Sequence, residues 1–137
     1  HFYDENKQLL RSFPPMELFD VNIQDIQPSQ FYVDEDKVEA VAGFIRSEAD
    51  IFIPVARIGD YLVSCDGHTR LFYATTQGYT KVRAFFADPG DYLAAFAEEA
   101  RKRNVYSPYD LELISHAEYK KKWHDFCDDF FRERAQE

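Results

Sequence analysis

The chain has 137 residues, 45% hydrophobic and 17% aromatic, which is apolar material for one ordinary domain with a real core and excludes wholesale disorder. Its formal net charge of −9 argues against a surface built to grip a nucleic-acid backbone, where a basic footprint is expected. No apolar run approaches the roughly 20 residues of a membrane span, and no secretory signal is visible. Cys65 and Cys127 lie far apart without C-x-x-C spacing, so the expectation is a cytoplasmic protein with two reduced thiols.

Taken in order, Leu9, Leu10 and Phe13 predict the apolar side of a short helix that Pro14-Pro15 ends, giving an N-terminal segment over residues 1–17. Residues 16–21 partly alternate and predict a strand, followed by a turn through Pro28. Phe31-Tyr32-Val33 reads as a short extended piece. Asp34 is placed to cap a helix whose stripe is Val38, Val41, Ala42 and Ile45, widened by Phe44, and which should run to about Glu48. Residues 51–58 are rich in β-formers but contain Pro54, which belongs at a strand start or on an edge. Gly59-Asp60 then predicts a tight turn into Tyr61-Leu62-Val63.

A helix follows over Leu71 to Gln77, closed by Gly78, and Lys81 to Phe86 reads as a strand. Pro89-Gly90 breaks the chain. Tyr92, Leu93, Ala95, Phe96 and Ala100 mark another helix, ending near Asn104. Ser107-Pro108 opens a short helical turn, and Ser115 with Glu118 makes a capping box for a last helix from His116 to about Arg132. Its apolar stripe is Tyr119, Trp123, Phe126, Cys127 and Phe130. His116 and His124 stand eight apart, too far for ligands on neighbouring turns, and read as solvated, as does Lys120-Lys121-Lys122.

The stretch carrying chemistry is Ser64-Cys65-Asp66-Gly67-His68-Thr69-Arg70, between the second hairpin strand and a helix. A helix N-terminus preceded by glycine is a natural anion site: its first N–H groups have no internal partner, and the helix dipole adds positive potential. Gly67 allows a sharp turn and close approach, while His68 and Arg70 add donors, Arg70 in a fork suited to phosphate. Asp66 beside a phosphate needs a metal ion, a hydroxyl or the arginine as partner. The plainer alternative is a structural turn, with Asp66 capping the helix and pairing with Arg70, and His68 at the surface.

This order of elements, with Asp66-Gly67-His68-Thr69-Arg70 between hairpin and helix, resembles the ParB/sulfiredoxin-like superfamily over about residues 18–87. The most specific feature is a Gly-x-x-Arg signature at Gly67 and Arg70. The Asp-Gly-His-x-Arg form is nearest to the free serine kinase branch. The helical last third is similar to that of uncharacterised bacterial proteins sharing this core. The resemblance implies an α+β fold: a small mixed β-sheet with surrounding helices over residues 18–88 and a helical C-terminal extension over 89–137, packed as a single domain.

It also implies that Gly67, His68, Thr69 and Arg70 hold nucleotide phosphates, of ATP or ADP, with CTP a further candidate. Asp66 would organise Mg²⁺ or an acceptor, and His68 and Asp66 would belong to the catalytic set. Sulfiredoxins carry a cysteine directly after the glycine, where this chain has His68. Partition proteins carry a DNA-binding domain for which no segment here fits. The kinase branch uses a glutamate near the first strand-turn as base; here that turn reads Pro28-Ser29-Gln30, leaving Glu35 or Asp34 as substitutes. Three functions follow: a nucleotide-dependent small-molecule phosphotransferase or nucleotide hydrolase; a non-catalytic nucleotide or anion sensor acting on a protein partner; and, disfavoured by charge, a DNA-associated module.

Overall fold

The computed structural model describes residues 17–135. The helix expected before Pro14-Pro15 lies outside the described residues, as does Met16 of the first strand. The chain runs through β1 (Phe19–Asn22), β2 (Ile26–Gln27), β3 (Tyr32–Asp34), α1 (Glu35–Ala42), β4 (Phe52–Ile58), β5 (Tyr61–Ser64), α2 (His68–Thr76), β6 (Lys81–Phe86), α3 (Leu93–Lys102), β7 (Glu112–Ile114) and α4 (His116–Ala135). Three single 3-10 turns, at Ile23–Asp25, Glu48–Asp50 and Pro108–Asp110, connect them. The fold is α+β.

Five strands form a mixed sheet in the order β1-β6-β4-β5-β2. β4 and β5 are the expected hairpin, with Ile58 opposite Tyr61 and Gly59 in a left-handed conformation at φ 59°. The turn chemistry works because only glycine enters that region without steric cost. β4 is central, not an edge, which departs from the expectation for Pro54. Pairing with β5 begins at Val55, and Pro54 contributes only its carbonyl, which accepts from Cys65 N–H at 2.8 Å. A proline is tolerated here because it stands where the β4–β5 ladder ends, opposite Cys65, and only its carbonyl is used.

The principal core lies between the sheet and α2: Ile23, Ile26, Ile53, Val55, Leu71 and Val82 are buried. Removing each such side chain from water contributes about 1.5–3 kcal/mol. A second core joins Phe31 and Val33 to Ala100, Val105 and Leu111, with Trp123 and Phe126 of α4 packed on it. The aromatic stripe of α4 is therefore core, as its spacing predicts.

Two features depart from expectation. α1 stops at Ala42 instead of running to Glu48, and Phe44 is left 63% exposed rather than widening the stripe. The reason is Asp50, whose Oδ2 accepts from the N–H groups of Arg46 and Ser47 at 2.8 and 3.1 Å and starts a new turn. Those donors are taken by a side chain rather than by α1. The last third, expected to be helical, also carries β7, which pairs in parallel with β3 through Tyr32–Glu112, Val33–Leu113 and Asp34–Ile114. No helix among the described residues is long and apolar enough to cross a membrane.

Candidate functional site

β5 leads through Cys65 and Asp66 into Gly67, the N-cap of α2, in a left-handed conformation at φ 82°. Asp66 Oδ1 accepts from Gly67 N–H at 2.8 Å. The first bond of α2 runs from Leu71 N–H to Gly67 O at 2.9 Å, so the N–H groups of His68, Thr69 and Arg70 have no partner within the helix. A Cβ on Gly67 would stand 2.9 Å from Ile53 Cδ1 and 3.4 Å from Arg70 Nη2, so the guanidinium folds back over the glycine. Gly67→Ala should cost about 1–3 kcal/mol, from the left-handed backbone plus that contact. Urea denaturation checks it; an unchanged midpoint would mean that the turn relaxes freely.

His68 is buried at 3% exposure, unlike the surface residue of the plainer reading. Its Nε2 accepts from Ser29 N–H at 3.0 Å and lies 2.9 Å from Ser64 Oγ, while Ser29 Oγ donates to Ser64 O at 2.7 Å. Because a backbone N–H can only donate, Nε2 is the acceptor and the proton sits on Nδ1. Burial pushes its pKa down to about 4, although nearby Asp66 works the other way, so the ring is neutral at pH 7. Nδ1 is the buried side-chain polar atom without a hydrogen-bond partner among the described residues.

Gly67, His68, Thr69 and Arg70 line one cleft of about 200 Å³ with Asp66. The cleft is completed by Gln30, Val41, Lys37 and Tyr119, brought in from the chain before β3, from α1 and from α4. Lys37 Nζ lies 4.8 Å over the Tyr119 ring. Neither Lys37 nor Arg70 makes an ion pair among the described residues, so the expected Asp66–Arg70 pair is absent there. Burial first, then the Asp34, Cys127 and Asp66 charges, push the Tyr119 hydroxyl up, so it remains a donor. Two cations, a neutral imidazole, a phenol and a helix N-terminus thus line a space with one carboxylate.

Glu35, expected as a base, does not join them: it is exposed at the first position of α1 and does not line the cleft. Asp34 is also otherwise engaged. It caps α1 by accepting from Asp36 N–H at 2.9 Å, and its Oδ2 stands 2.6 Å from His116 Nδ1. Burial raises its pKa, but the His116 and Asp36 hydrogen bonds outweigh that and hold it below the usual carboxylate value. His116, read as merely solvated, in fact ties the start of α4 to the start of α1. Asp34→Ala should cost about 1–3 kcal/mol, losing a cap and a buried charged hydrogen bond, whereas His124→Ala on the exposed face should be neutral. Thermal melts of the two variants make the comparison.

Mg²⁺ fits only in part. Asp66 is the one carboxylate lining the cleft, and magnesium held by a single carboxylate depends on phosphate oxygens and water for the rest. Potential ligand atoms of Asp34, Asp36 and His116 do lie within 4.8 Å of one another. That grouping is explained by the His116–Asp34 hydrogen bond, and its donor set includes a nitrogen, which magnesium seldom takes. Cys65 and Cys127 are free thiols. Burial, with Asp66 and Asp88, pushes Cys65 up, which keeps it a protonated thiol rather than a nucleophile.

Sequence reasoning missed Lys37 and Tyr119. Lys37 looks like any lysine on a solvated helix face, and Tyr119 sits in the apolar stripe of α4; only the packing of α1 and α4 beside α2 brings them together. Fold and site together define an α+β protein in which a hairpin delivers one glycine-hinged helix N-terminus to a cationic cleft. No protein-family profile matches the chain, and no curated protein matches its sequence. Among solved structures it is similar to protein Atu1540 from Agrobacterium tumefaciens, with TM-score 0.50 and 17% identity over 73% of this chain. The chain spans 63% of that protein, under two thirds of its length, and the likeness concerns fold alone.

Proposed function

We propose that the protein binds the phosphate groups of a small molecule, a nucleotide in the first instance, at the N-terminus of α2. The observation that carries this is His68 Nδ1: a buried N–H with no partner among the described residues, on a residue lining a cleft with Arg70, Lys37 and the helix positions whose N–H groups have no partner within the helix. Leaving a buried donor unpaired costs about 1–3 kcal/mol, and a bound acceptor that reaches Nδ1 would remove that cost. The helix N-terminus and the arginine fork favour an acceptor carrying negative charge.

Within this reading, binding without chemistry is favoured. Gln30 lines the cleft at the position where the resemblance expects an acid, and an amide takes no proton from a hydroxyl. Glu35 stands outside. The second reading, phosphoryl transfer to a small hydroxyl acceptor, rests on Asp66, the cleft's carboxylate, with Mg²⁺ neutralising the phosphate oxygens. The test is calorimetric titration with ATP, ADP, CTP and inorganic tripolyphosphate, with and without Mg²⁺, followed by turnover assays with hydroxyl acceptors. Binding without turnover supports the sensor; binding with turnover lost in Asp66→Asn supports the transferase. Failure of a folded protein to bind any of the four would remove both.

A further inference from the structure

Beside the phosphate cleft is a second and larger hollow, of about 320 Å³, built mainly by the last third of the chain. Tyr92, Phe96 and Trp123 line it, with Gln30, Cys65 and Asp91. Gln30 lines both hollows. They share backbone as well. Ser29 lines the second hollow and its N–H holds His68 of the first; Cys65 of the second directly precedes Asp66 of the first.

The aromatic rings are braced by other rings. Phe96 stacks on Phe130 at 4.5 Å, Trp123 stacks on Phe126 at 5.5 Å, and Tyr92 meets Phe131 edge-on at 5.1 Å. Such rings are held in place before anything binds, so a flat partner meets a preformed surface. The side-chain amide of Gln30 has no hydrogen-bond partner among the described residues and offers both a donor and an acceptor. Charge gives the pair of hollows a direction. Arg70 and Lys37 line the first, while Asp91 is the charged residue lining the second.

We infer that the second hollow is a ring subsite: one ligand spans both, its phosphates at Arg70 and its planar heteroaromatic ring against Trp123, Phe96 and Tyr92, with Gln30 at the junction. This rests on the phosphate reading of the first cleft and adds the place where the ligand's ring is held. An aliphatic phosphate would leave the aromatic surface wet, and a second anionic end would meet Asp91.

Trp123 is the only tryptophan in the chain, so its fluorescence reports on this hollow without a label. The experiment follows Trp123 emission and calorimetric affinity for tripolyphosphate, ATP and CTP, in the wild-type protein and in Tyr92→Ala. Tyr92 is exposed, so its loss should leave the fold intact. The expected result is that tripolyphosphate binds without changing Trp123 emission. At least one nucleoside triphosphate should quench it and bind about ten-fold or more tighter, as base–aromatic stacking allows. Tyr92→Ala should remove most of that gain and leave tripolyphosphate binding as it was. Equal affinity for tripolyphosphate and both nucleotides, with emission unmoved, would overturn the ring subsite while leaving the phosphate site standing. No binding of tripolyphosphate or nucleotide would overturn both.

Discussion

Between pH 6.5 and about 4 the protein should lose roughly 3 kcal/mol of stability through His68 alone. The sign follows from where protons bind. Above pH 6.5 the imidazole is neutral in both the folded and the unfolded chain, and its contribution is fully present. As the pH falls below 6.5 the unfolded chain takes up a proton that the native protein, with a pKa of about 4, refuses. The unfolded state then binds more protons, so stability falls with pH until the native ring also titrates. Protonating Nε2 would cost the acceptor for Ser29 N–H and place a charge in the core. Asp34 acts in the next window down: its pKa is depressed, so its contribution is present above 3.8 and is lost as pH falls through its lower folded value. Urea denaturation at intervals from pH 7.5 to 4 measures the slope, with His68→Gln as reference because its amide oxygen can accept from Ser29 without titrating. Parallel curves for the two proteins would show that His68 is not the group responsible.

Arg70→Ala should weaken binding of tripolyphosphate or nucleotide by about 10- to 100-fold, the worth of one charge-assisted hydrogen bond at roughly 1.5–3 kcal/mol. Stability should change little, since Arg70 has no ion pair among the described residues to lose. Arg70→Lys should fall between the two, retaining the charge without the planar fork. Lys37→Ala should have a smaller effect, because its exposed ammonium is more strongly screened by solvent and salt. Calorimetry at two ionic strengths separates these contributions. An Arg70→Ala protein that binds as tightly as wild type would remove the arginine from the site, and with it the main reason for expecting phosphate there.

Much of the frame is legible in the sequence because local chemistry decides it. Gly59-Asp60 between two β-rich runs forces the β4–β5 hairpin, and Gly67 ahead of an apolar-periodic run marks the start of α2. Asp34 and Ser115 cap α1 and α4, the latter accepting from Glu118 N–H at 3.2 Å. What escapes the sequence is decided by distant partners. The early end of α1 depends on Asp50 drawing Arg46 and Ser47 into another turn, a competition that periodicity does not register. The β3–β7 ribbon consists of two three-residue strands with no alternation to display and partners far along the chain. For His68, the residue type is legible and its state is not: the same imidazole serves as a surface donor or a buried neutral ring, and Ser29 and Ser64 choose the second.

The β3–β7 ribbon also bears on the order in which the molecule is assembled. Tyr32 waits for Glu112, so the loop between them must close before either strand has a partner. Closing so long a loop is slow relative to forming a hairpin such as β4–β5. The residues of the main sheet and α2 all precede β7 and α4 in the chain, so once they are synthesised β3 still lacks its partner and Phe31 still lacks Trp123 and Phe126. The main sheet can thus pair before α4 is present, whereas Tyr119 and Trp123 reach the two hollows only when α4 docks. A ligand that bridges them would find its complete site only once α4 is in place.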